Sequence, residues 1–335
     1  MQTDVKTNIK PPKLIPVLVT GFNAIASNPE LILFPIALDV VLLFGPLVRI
    51  KNLMIPIFNQ VIKNATSLYS SETMEMVKNS SQLWNEFLEQ FNLLFSLRTF
   101  PVGIPSLMVT RGTLVNPIGE LPIFEINSFQ YIFSSGFLLM LSGIVVGSIY
   151  FRNIARVCIA DSQQANLKGV INQIKQSFLM SVLLILLFLF IALPSACFIS
   201  SISVFLPALG TIPLLVFGLI LIQLLTPLVF APHGIFVSHQ SMFSSIATSA
   251  RLVRSYLPGT GLFMLVAILI SFGLDILWST PSTESWLTLV GIIGHAFIST
   301  SVIAASFFYY QKGLEWMEFV IQQRKQEKNR VEPQQ

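Results

Sequence analysis

The sequence predicts an all-α, polytopic integral membrane protein: a bundle of about six transmembrane helices with amphipathic interfacial helices. Three observations predict this class. The 335 residues are 53% hydrophobic and only 11% charged, whereas soluble domains carry about 25% charged residues. Uncharged runs long enough to cross a bilayer, about 20 residues, recur along the chain. The two cysteines, Cys158 and Cys197, exclude a disulfide scaffold and a thiolate zinc site.

The gaps between charged residues define the spans. The first covers residues 31–49 and is the least regular, because two prolines and Asp39 lie within it. The other five runs are residues 129–151, 178–204, 206–231, 258–278 and 287–310. The predicted organisation is a cytoplasmic or interfacial N-terminus (1–30), a first transmembrane helix (31–50), an extracytoplasmic amphipathic cap (51–127), a five-helix transmembrane core (128–311) and a cytoplasmic C-terminal tail (312–335).

Lysine and arginine positions predict the orientation of these spans. With the N-terminus inside, most of the 20 basic residues lie in cytoplasmic segments, and the short outer turns 200–206 and 279–286 contain none. We therefore expect a multi-pass protein of the cell inner membrane with both termini in the cytoplasm. The formal net charge of +4 is then explained by basic cytoplasmic loops that lie against anionic lipid. The lipid bilayer is therefore the expected partner, and nucleic acid is not.

The N-terminus allows a second interpretation. Residues 14–22 are apolar and are followed by Ala24-Ile25-Ala26, which is similar to a signal peptide with its cleavage site. Pro16 and Gly21 interrupt this short run, so we favour a short interfacial helix that leads into the first span. Cleavage within residues 1–26 remains the alternative.

The predicted cap contains two amphipathic stretches. Residues 50–63 and 82–97 place apolar side chains at helical spacing, whereas the proline- and glycine-rich chain from Thr99 onward predicts loop or short strand. Helices of this kind lie on the bilayer surface or cover the bundle. The alternative is a lid or a surface that docks a partner.

Residues 235–257 form a further amphipathic pattern. One face is apolar: Ile235, Met242, Phe243, Ile246 and Val253. Arg251 and Arg254 lie on the other face and form a candidate cytoplasmic basic interface with lipid phosphates. The alternative is a helix that couples to a cytoplasmic protein partner, as transport permeases use, although the Glu-Ala-Ala signature of importer permeases is missing.

Three ionisable residues lie within predicted spans, where charge is costly and indicates function by default. At about 1.5 Å per residue, Asp39 and His295 both fall near the bilayer midplane, about 12 Å and about 14 Å from the ends of their spans. Contact between them is therefore compatible with their depth. Asp275 lies near the outer end of its span and is expected to be wet. The three form either a hydrogen-bonded tie between helices, a proton or ion relay, or a catalytic group.

Other motifs carry less chemistry. Gly143 and Gly147 form a G-x-x-x-G pattern, which predicts close helix packing within the bundle or between subunits. His233 and His239 are six residues apart without a nearby carboxylate, so no metal site is predicted. Nucleotide-binding and hydrolase motifs are missing. We predict no catalytic residues and no cofactor.

Three short runs resemble known families. Asn28-Pro-Glu-Leu-Ile-Leu-Phe-Pro-Ile-Ala-Leu-Asp39 with Phe44-Gly-Pro46, and Phe100-Pro-Val-Gly-Ile-Pro-Ser-Leu107, resemble uncharacterised multi-span membrane proteins of environmental bacteria. Ser249-Ala-Arg-Leu-Val-Arg-Ser255 is faintly similar to the membrane domain found beside some glycerophosphodiester phosphodiesterases. These resemblances imply a membrane fold and no activity, because that second domain is itself non-catalytic.

The expected function is a non-enzymatic membrane component that acts as a scaffold or accessory part of a larger assembly, with a membrane or cytoplasmic protein as partner. The alternative is a transporter or permease subunit with a polar path at Asp39 and His295. An intramembrane lipid enzyme ranks third. It requires an acid, a base and a nucleophile around one cavity, and the sequence indicates no such cluster.

Overall fold

The computed structural model describes residues 9–66, 82–112, 114–159, 166–205 and 211–331. The chain is almost entirely helical within these ranges. The α-helices, in chain order, are α1 Leu14–Ala26, α2 Leu33–Phe44, α3 Lys51–Thr66, α4 82–90, α5 Met108–Arg111, α6 Phe129–Ile159, α7 Leu167–Phe205, α8 Thr211–Leu225, α9 Ala231–Val237, α10 Met242–Ser255, α11 Leu257–Trp278 and α12 Leu287–Val331. Four short strands are β1 Leu47–Arg49, β2 Val115–Asn116, β3 Gly119–Glu120 and β4 Ile123–Glu125.

Five stretches are long and apolar enough to cross a membrane: Phe129–Ile159, Leu167–Ile199, Ile212–Val237, Leu257–Trp278 and Leu287–Gln326. A sixth exists if Leu14–Ala26 and Pro29–Phe44, which meet at a bend of 89°, are counted as one span. The prediction of an all-α membrane bundle is confirmed.

The first predicted span differs from the structure. Instead of one helix over residues 31–49, a 3-10 turn at Pro29–Ile32 leads into the 12-residue α2, and strand β1 follows. The helix ends at Phe44 because Gly45 precedes Pro46, and a residue before proline is disfavoured in the helical conformation. Pro29 explains the earlier break in the same way.

Two other predicted spans have shifted boundaries. Helix α7 continues to Phe205 and so includes residues assigned to an outer turn. The span predicted at 206–231 consists of α8, a 3-10 turn at Thr226–Leu228 and α9, which ends at Val237. Pro227 lies in that turn, where its missing N–H breaks the helical hydrogen-bond ladder.

The chain divides into two compact units. Unit 1 contains residues Met1–Asn28, Phe151–Ile270 and Ser301–Gln335. Its core surrounds Phe230, whose ring centroid lies 5.5 Å from that of Tyr309 in a stacked arrangement. The buried members are Val17, Phe230, Leu252, Val253, Phe263, Ala305, Tyr309, Tyr310 and Met317. Helix α1 therefore contributes to this core through Val17.

Unit 2 contains residues Pro29–Tyr150 and Ser271–Thr300, and thus the cap. The two ends of the cap are joined, because β1 pairs in parallel with β4 and Arg49 forms a 2.7 Å ion pair with Glu125. The first predicted cap helix is α3. The second is shorter than predicted: α4 ends at residue 90, and a 3-10 turn occupies Leu93–Leu97.

Candidate functional site

The buried carboxylate of Asp39 is the most constrained polar group of unit 2. Its side chain is fully inaccessible and accepts hydrogen bonds from the Ser106 hydroxyl and from the backbone N–H groups of Leu107 and Met108, the latter two at 3.0 and 3.1 Å. These donors stand at the start of the short helix α5. A buried carboxylate is tolerated where it is hydrogen-bonded in this way, so Asp39 binds a segment of the cap.

That segment is itself buried, which the loss of helical periodicity after Thr99 did not predict. Val102 and Met108 are fully inaccessible, and Ile104, Ser106 and Leu107 are nearly so. Asp39 therefore accepts hydrogen bonds from buried backbone N–H groups that have no carbonyl acceptor within a helix. Unsatisfied backbone groups are costly in such a place.

Gly143 and Gly147 receive this same segment. A Cβ atom at Gly143 would overlap the carbonyl oxygen of Leu97, and one at Gly147 would lie 3.0 Å from the carbonyl oxygen of Val102. The G-x-x-x-G pattern thus permits close packing, as predicted, but the partner is the non-helical chain at the end of the 3-10 turn and beyond it.

His295 and Asp275 form the second polar feature of unit 2. The imidazole Nδ1 lies 2.6 Å from the Asp275 Oδ1, and the two side chains are 7% and 30% exposed. This pair joins α11 to α12 across their connecting turn. Asp275 is partly exposed, in agreement with its position near the end of a span, but its pairing with His295 was not predicted.

Asp39 and His295 have different hydrogen-bond partners. Among the described residues, no hydrogen bond joins Asp39 to His295, and the His295 Nε2 is buried without a hydrogen-bond partner. Chemically, the arrangement consists of a carboxylate–imidazole pair, Asp275 and His295, and a separate carboxylate, Asp39, that binds the Ser106 hydroxyl and backbone N–H groups.

Arg111 fixes the other end of α5. Its guanidinium donates a 2.5 Å hydrogen bond to the carbonyl oxygen of Pro281, in the turn between α11 and α12. Partial burial lowers the pKa of Arg111. Asp39 and Arg111 therefore hold α5 at both ends, and sequence reasoning assigned no role to Ser106 or Arg111. Ser106 directly follows Pro105, a helix-start signal, but the partner 67 residues away has no local signature.

The predicted basic interface on α10 is exposed, and the predicted apolar face is buried in part, at Met242 and Val253. Ser245, Thr248 and Ser249 are buried, whereas Phe243 from the predicted apolar face is 71% exposed. The apolar pattern missed these hydroxyls, two of which donate to backbone carbonyl oxygens: Ser245 to Ala231, and Ser249 to Pro227 at 2.7 Å. Arg251 and Arg254 remain exposed, and Arg254 borders an open apolar groove along α8.

His233 and His239 lie in distinct environments in unit 1. His233 is buried in α9, where its Nε2 lies 2.7 Å from the Ser306 hydroxyl, whereas His239 follows the end of α9 and is exposed. Within the described residues, no group of three or more His, Cys, Asp or Glu side chains could hold a metal ion.

No protein-family model matches the chain, and neither a curated protein nor a solved structure is significantly similar to it. The polar clusters therefore have to be interpreted from their own geometry. The resemblances of residues 28–46, 100–107 and 249–255 stay predictions.

Proposed function

We propose that this integral membrane protein is a non-enzymatic scaffold or accessory component of a membrane assembly, and that its cap presents a fixed surface to a protein partner. The observation that carries the proposal is the engagement of Asp39. Its carboxylate accepts three hydrogen bonds from the cap segment, so the most buried acid of unit 2 is occupied in holding structure.

An exposed aromatic row on the cap supports a binding role. Consecutive ring pairs lie 5.0 to 6.4 Å apart. The row consists of Phe58, Trp84, Phe87, Phe91 and Phe95. Trp84 and Phe87 are 47% and 53% exposed. Exposed aromatic clusters are typical of partner surfaces and of membrane interfaces.

Affinity purification tests this proposal. The tagged protein, extracted from its native membrane in mild detergent, should carry a stoichiometric partner identifiable by mass spectrometry. Trp84→Ser should lose that partner, whereas Phe124→Ser, which changes another exposed aromatic of the cap, should keep it. Recovery of the wild-type protein with lipid alone would contradict the proposal.

The proposed location is the cell inner membrane, with both termini in the cytoplasm and the cap outside. The distribution of basic residues supports this orientation. A cysteine introduced by Leu83→Cys on α4 should react with a membrane-impermeant maleimide in spheroplasts. One introduced by Gln322→Cys near the end of α12 should react only after permeabilisation. The reverse labelling would overturn the orientation.

A transporter or permease subunit is the second candidate. The buried His295 Nε2 without a described hydrogen-bond partner, on the imidazole that is paired with Asp275, favours it. Purified protein in liposomes should then dissipate an imposed pH gradient, and His295→Gln should abolish this flux. The scaffold proposal expects no flux from the wild-type protein.

A further inference from the structure

We propose that unit 1 contains a binding site for a phosphate-bearing anion, formed where α6, α7 and the end of α9 meet. A small pocket lies there, with a free volume of only about 10 Å³, so a phosphate group binds at its mouth and not inside it. The lining of the pocket consists of Arg152, Arg156, Ile159, Gln173, Phe236 and His239. Two of the six residues are permanent cations and none is an acid.

A hydrogen-bond chain orients the polar groups of this pocket. The Arg152 guanidinium donates a 2.6 Å hydrogen bond to the side-chain oxygen of Gln173, which is only 3% exposed. That bond fixes the orientation of the Gln173 side-chain amide, so the amide nitrogen points away from Arg152. The amide nitrogen lies 3.1 Å from the Nδ1 of His239 and 3.4 Å from the carbonyl oxygen of Ile235.

This chain determines the tautomer of His239. Because the Gln173 nitrogen is a donor, Nδ1 must accept, and the proton of the neutral imidazole is then on Nε2. His239 therefore contributes a further N–H donor. The backbone of His239 has φ +49°, a left-handed conformation in which Asn, Asp and His are the enriched residues other than glycine.

The donors have no anion of their own within the described chain. Arg156 is exposed and forms no ion pair or hydrogen bond among the described residues, and Arg152 is bound only to the neutral Gln173. Guanidinium groups bind phosphate through paired, charge-assisted hydrogen bonds. The mouth of this pocket thus offers cationic and N–H donors to phosphate oxygens, beside the apolar Ile159 and Phe236.

The depth of the pocket matches a lipid headgroup. Arg152 is the first charged residue after the uncharged run that ends at Phe151, and Arg156 lies about 6 Å further along the helix. The headgroup layer occupies about 5–8 Å on each side of the hydrocarbon core. Basic pockets between transmembrane helices at this level bind anionic headgroups. Free phosphate has the same chemistry, and the experiment separates the two sources.

Thermal unfolding of the full-length protein in a neutral detergent tests this site, because a ligand that binds the folded state raises Tm. The probes are dioleoylphosphatidylglycerol, dioleoylphosphatidylcholine and inorganic phosphate. We expect phosphatidylglycerol to raise Tm and phosphatidylcholine to leave it unchanged. A rise with inorganic phosphate of the same size would identify free phosphate as the ligand and still support the site.

Two variants and one control localise the effect. Arg156→Gln removes an exposed cation without a described partner, and His239→Asn removes the N–H donor while tolerating the left-handed backbone. Each should weaken the half-maximal response to phosphatidylglycerol at least about fivefold. Lys175→Gln, an equal charge change at an exposed position of α7 outside the pocket, should leave it unchanged. An equal loss in all three variants, or no response of the wild-type protein to any probe, would overturn the proposal.

Discussion

The two units of this protein use charge differently. All three ion pairs among the described residues belong to unit 2: Arg49–Glu125, Lys51–Glu89 and His295–Asp275. In the described ranges of unit 1, Glu315, Glu318 and Glu327 are the only acids, and the cations that donate hydrogen bonds do so to neutral acceptors, as Arg152 does to Gln173. The Phe230 N–H likewise donates to the neutral Ser249 hydroxyl at 3.1 Å.

Charged groups of unit 2 therefore bind other parts of unit 2, whereas the described charged groups of unit 1 do not form ion pairs within it. Acids of unit 2 hold its own chain, as Asp39 does with the start of α5. Cations of unit 1 form no ion pair among the described residues, and Arg156 is exposed. The comparison therefore predicts that removing charge destabilises unit 2 and leaves the fold of unit 1 unchanged.

The largest expected effect comes from Asp39→Asn. The amide keeps one acceptor oxygen, but its NH2 group replaces the other. An NH2 group cannot accept a hydrogen bond, so one of the donors now bound to Asp39 loses its acceptor. The variant should lose about 3 kcal/mol of stability, since an unsatisfied buried polar group costs about 1–3 kcal/mol and bonds to a charged acceptor are lost as well. Thermal unfolding in detergent measures this loss, together with protease sensitivity of residues 98–112.

The matched control for Asp39→Asn lies in unit 1. Arg156→Gln, which also removes one charge, should leave Tm in the absence of lipid unchanged, because the guanidinium has no described partner. Equal destabilisation by the two variants would remove the distinction between the units.

The second effect in size is expected for Gly143→Ala. The added methyl group overlaps the carbonyl oxygen of Leu97, which is backbone and cannot rotate away, so we expect about 2 kcal/mol of destabilisation from overpacking. Gly218→Ala in α8, where nothing lies within 4 Å of the added carbon, is the unit 1 control and should leave Tm unchanged. A Gly143→Ala protein as stable as wild type would mean that the packing against Leu97 is loose.

A smaller loss is expected for Asp275→Asn. The amide oxygen can still accept a hydrogen bond from His295 Nδ1, and the Asp275 side chain is already 30% exposed. We expect about 1 kcal/mol, the net value of an ordinary hydrogen bond, measured by the same unfolding assay. A loss as large as that of Asp39→Asn would show that the pair, and not the cap attachment, is the main polar tie of unit 2.

The sequence predicted those features that repeat locally and missed those that depend on distant partners. Charge spacing and hydropathy gave the long helices, and rarity alone singled out Asp39, Asp275 and His295. The burial of residues 100–108 had no periodic signal, because irregular backbone in a core is stabilised by a partner far away in the chain. On α10 the apolar pattern identified the buried Met242 and Val253 but missed Ser245 and Ser249, because a hydroxyl that donates to a backbone carbonyl can also be buried.

The same reasoning explains the incomplete prediction of the polar site. Depth along a helix suggested that Asp39 and His295 could meet, but depth does not determine which helix faces which. His295 instead lies beside Asp275, 20 residues earlier, since a short turn brings the end of α11 next to the start of α12. Antiparallel neighbours joined by a short turn are the more predictable contact.

The smallest effect is expected where unit 2 meets solvent, at Lys51–Glu89. The hydrogen bond and charge of Lys51 hold the pKa of Glu89 below its usual range. A lowered folded-state pKa contributes stability above the unfolded pKa, about 4.3, and this contribution is lost as pH falls through the folded value. Because the pair is exposed and screened, Glu89→Gln should leave Tm at pH 7 and moderate salt nearly unchanged.

The pH dependence of Tm distinguishes this surface pair from a buried tie. The difference in Tm between wild type and Glu89→Gln, already small at pH 7 and low salt, should vanish at pH 3 and in 0.5 M salt. A large difference that persists in high salt would require Glu89 to be shielded from solvent. In that case the burial of an acid of unit 2 would not predict how much stability is lost when it is removed. The expected order Asp39, Asp275, Glu89 would then have to be replaced by an order based on the hydrogen-bond partner of each acid.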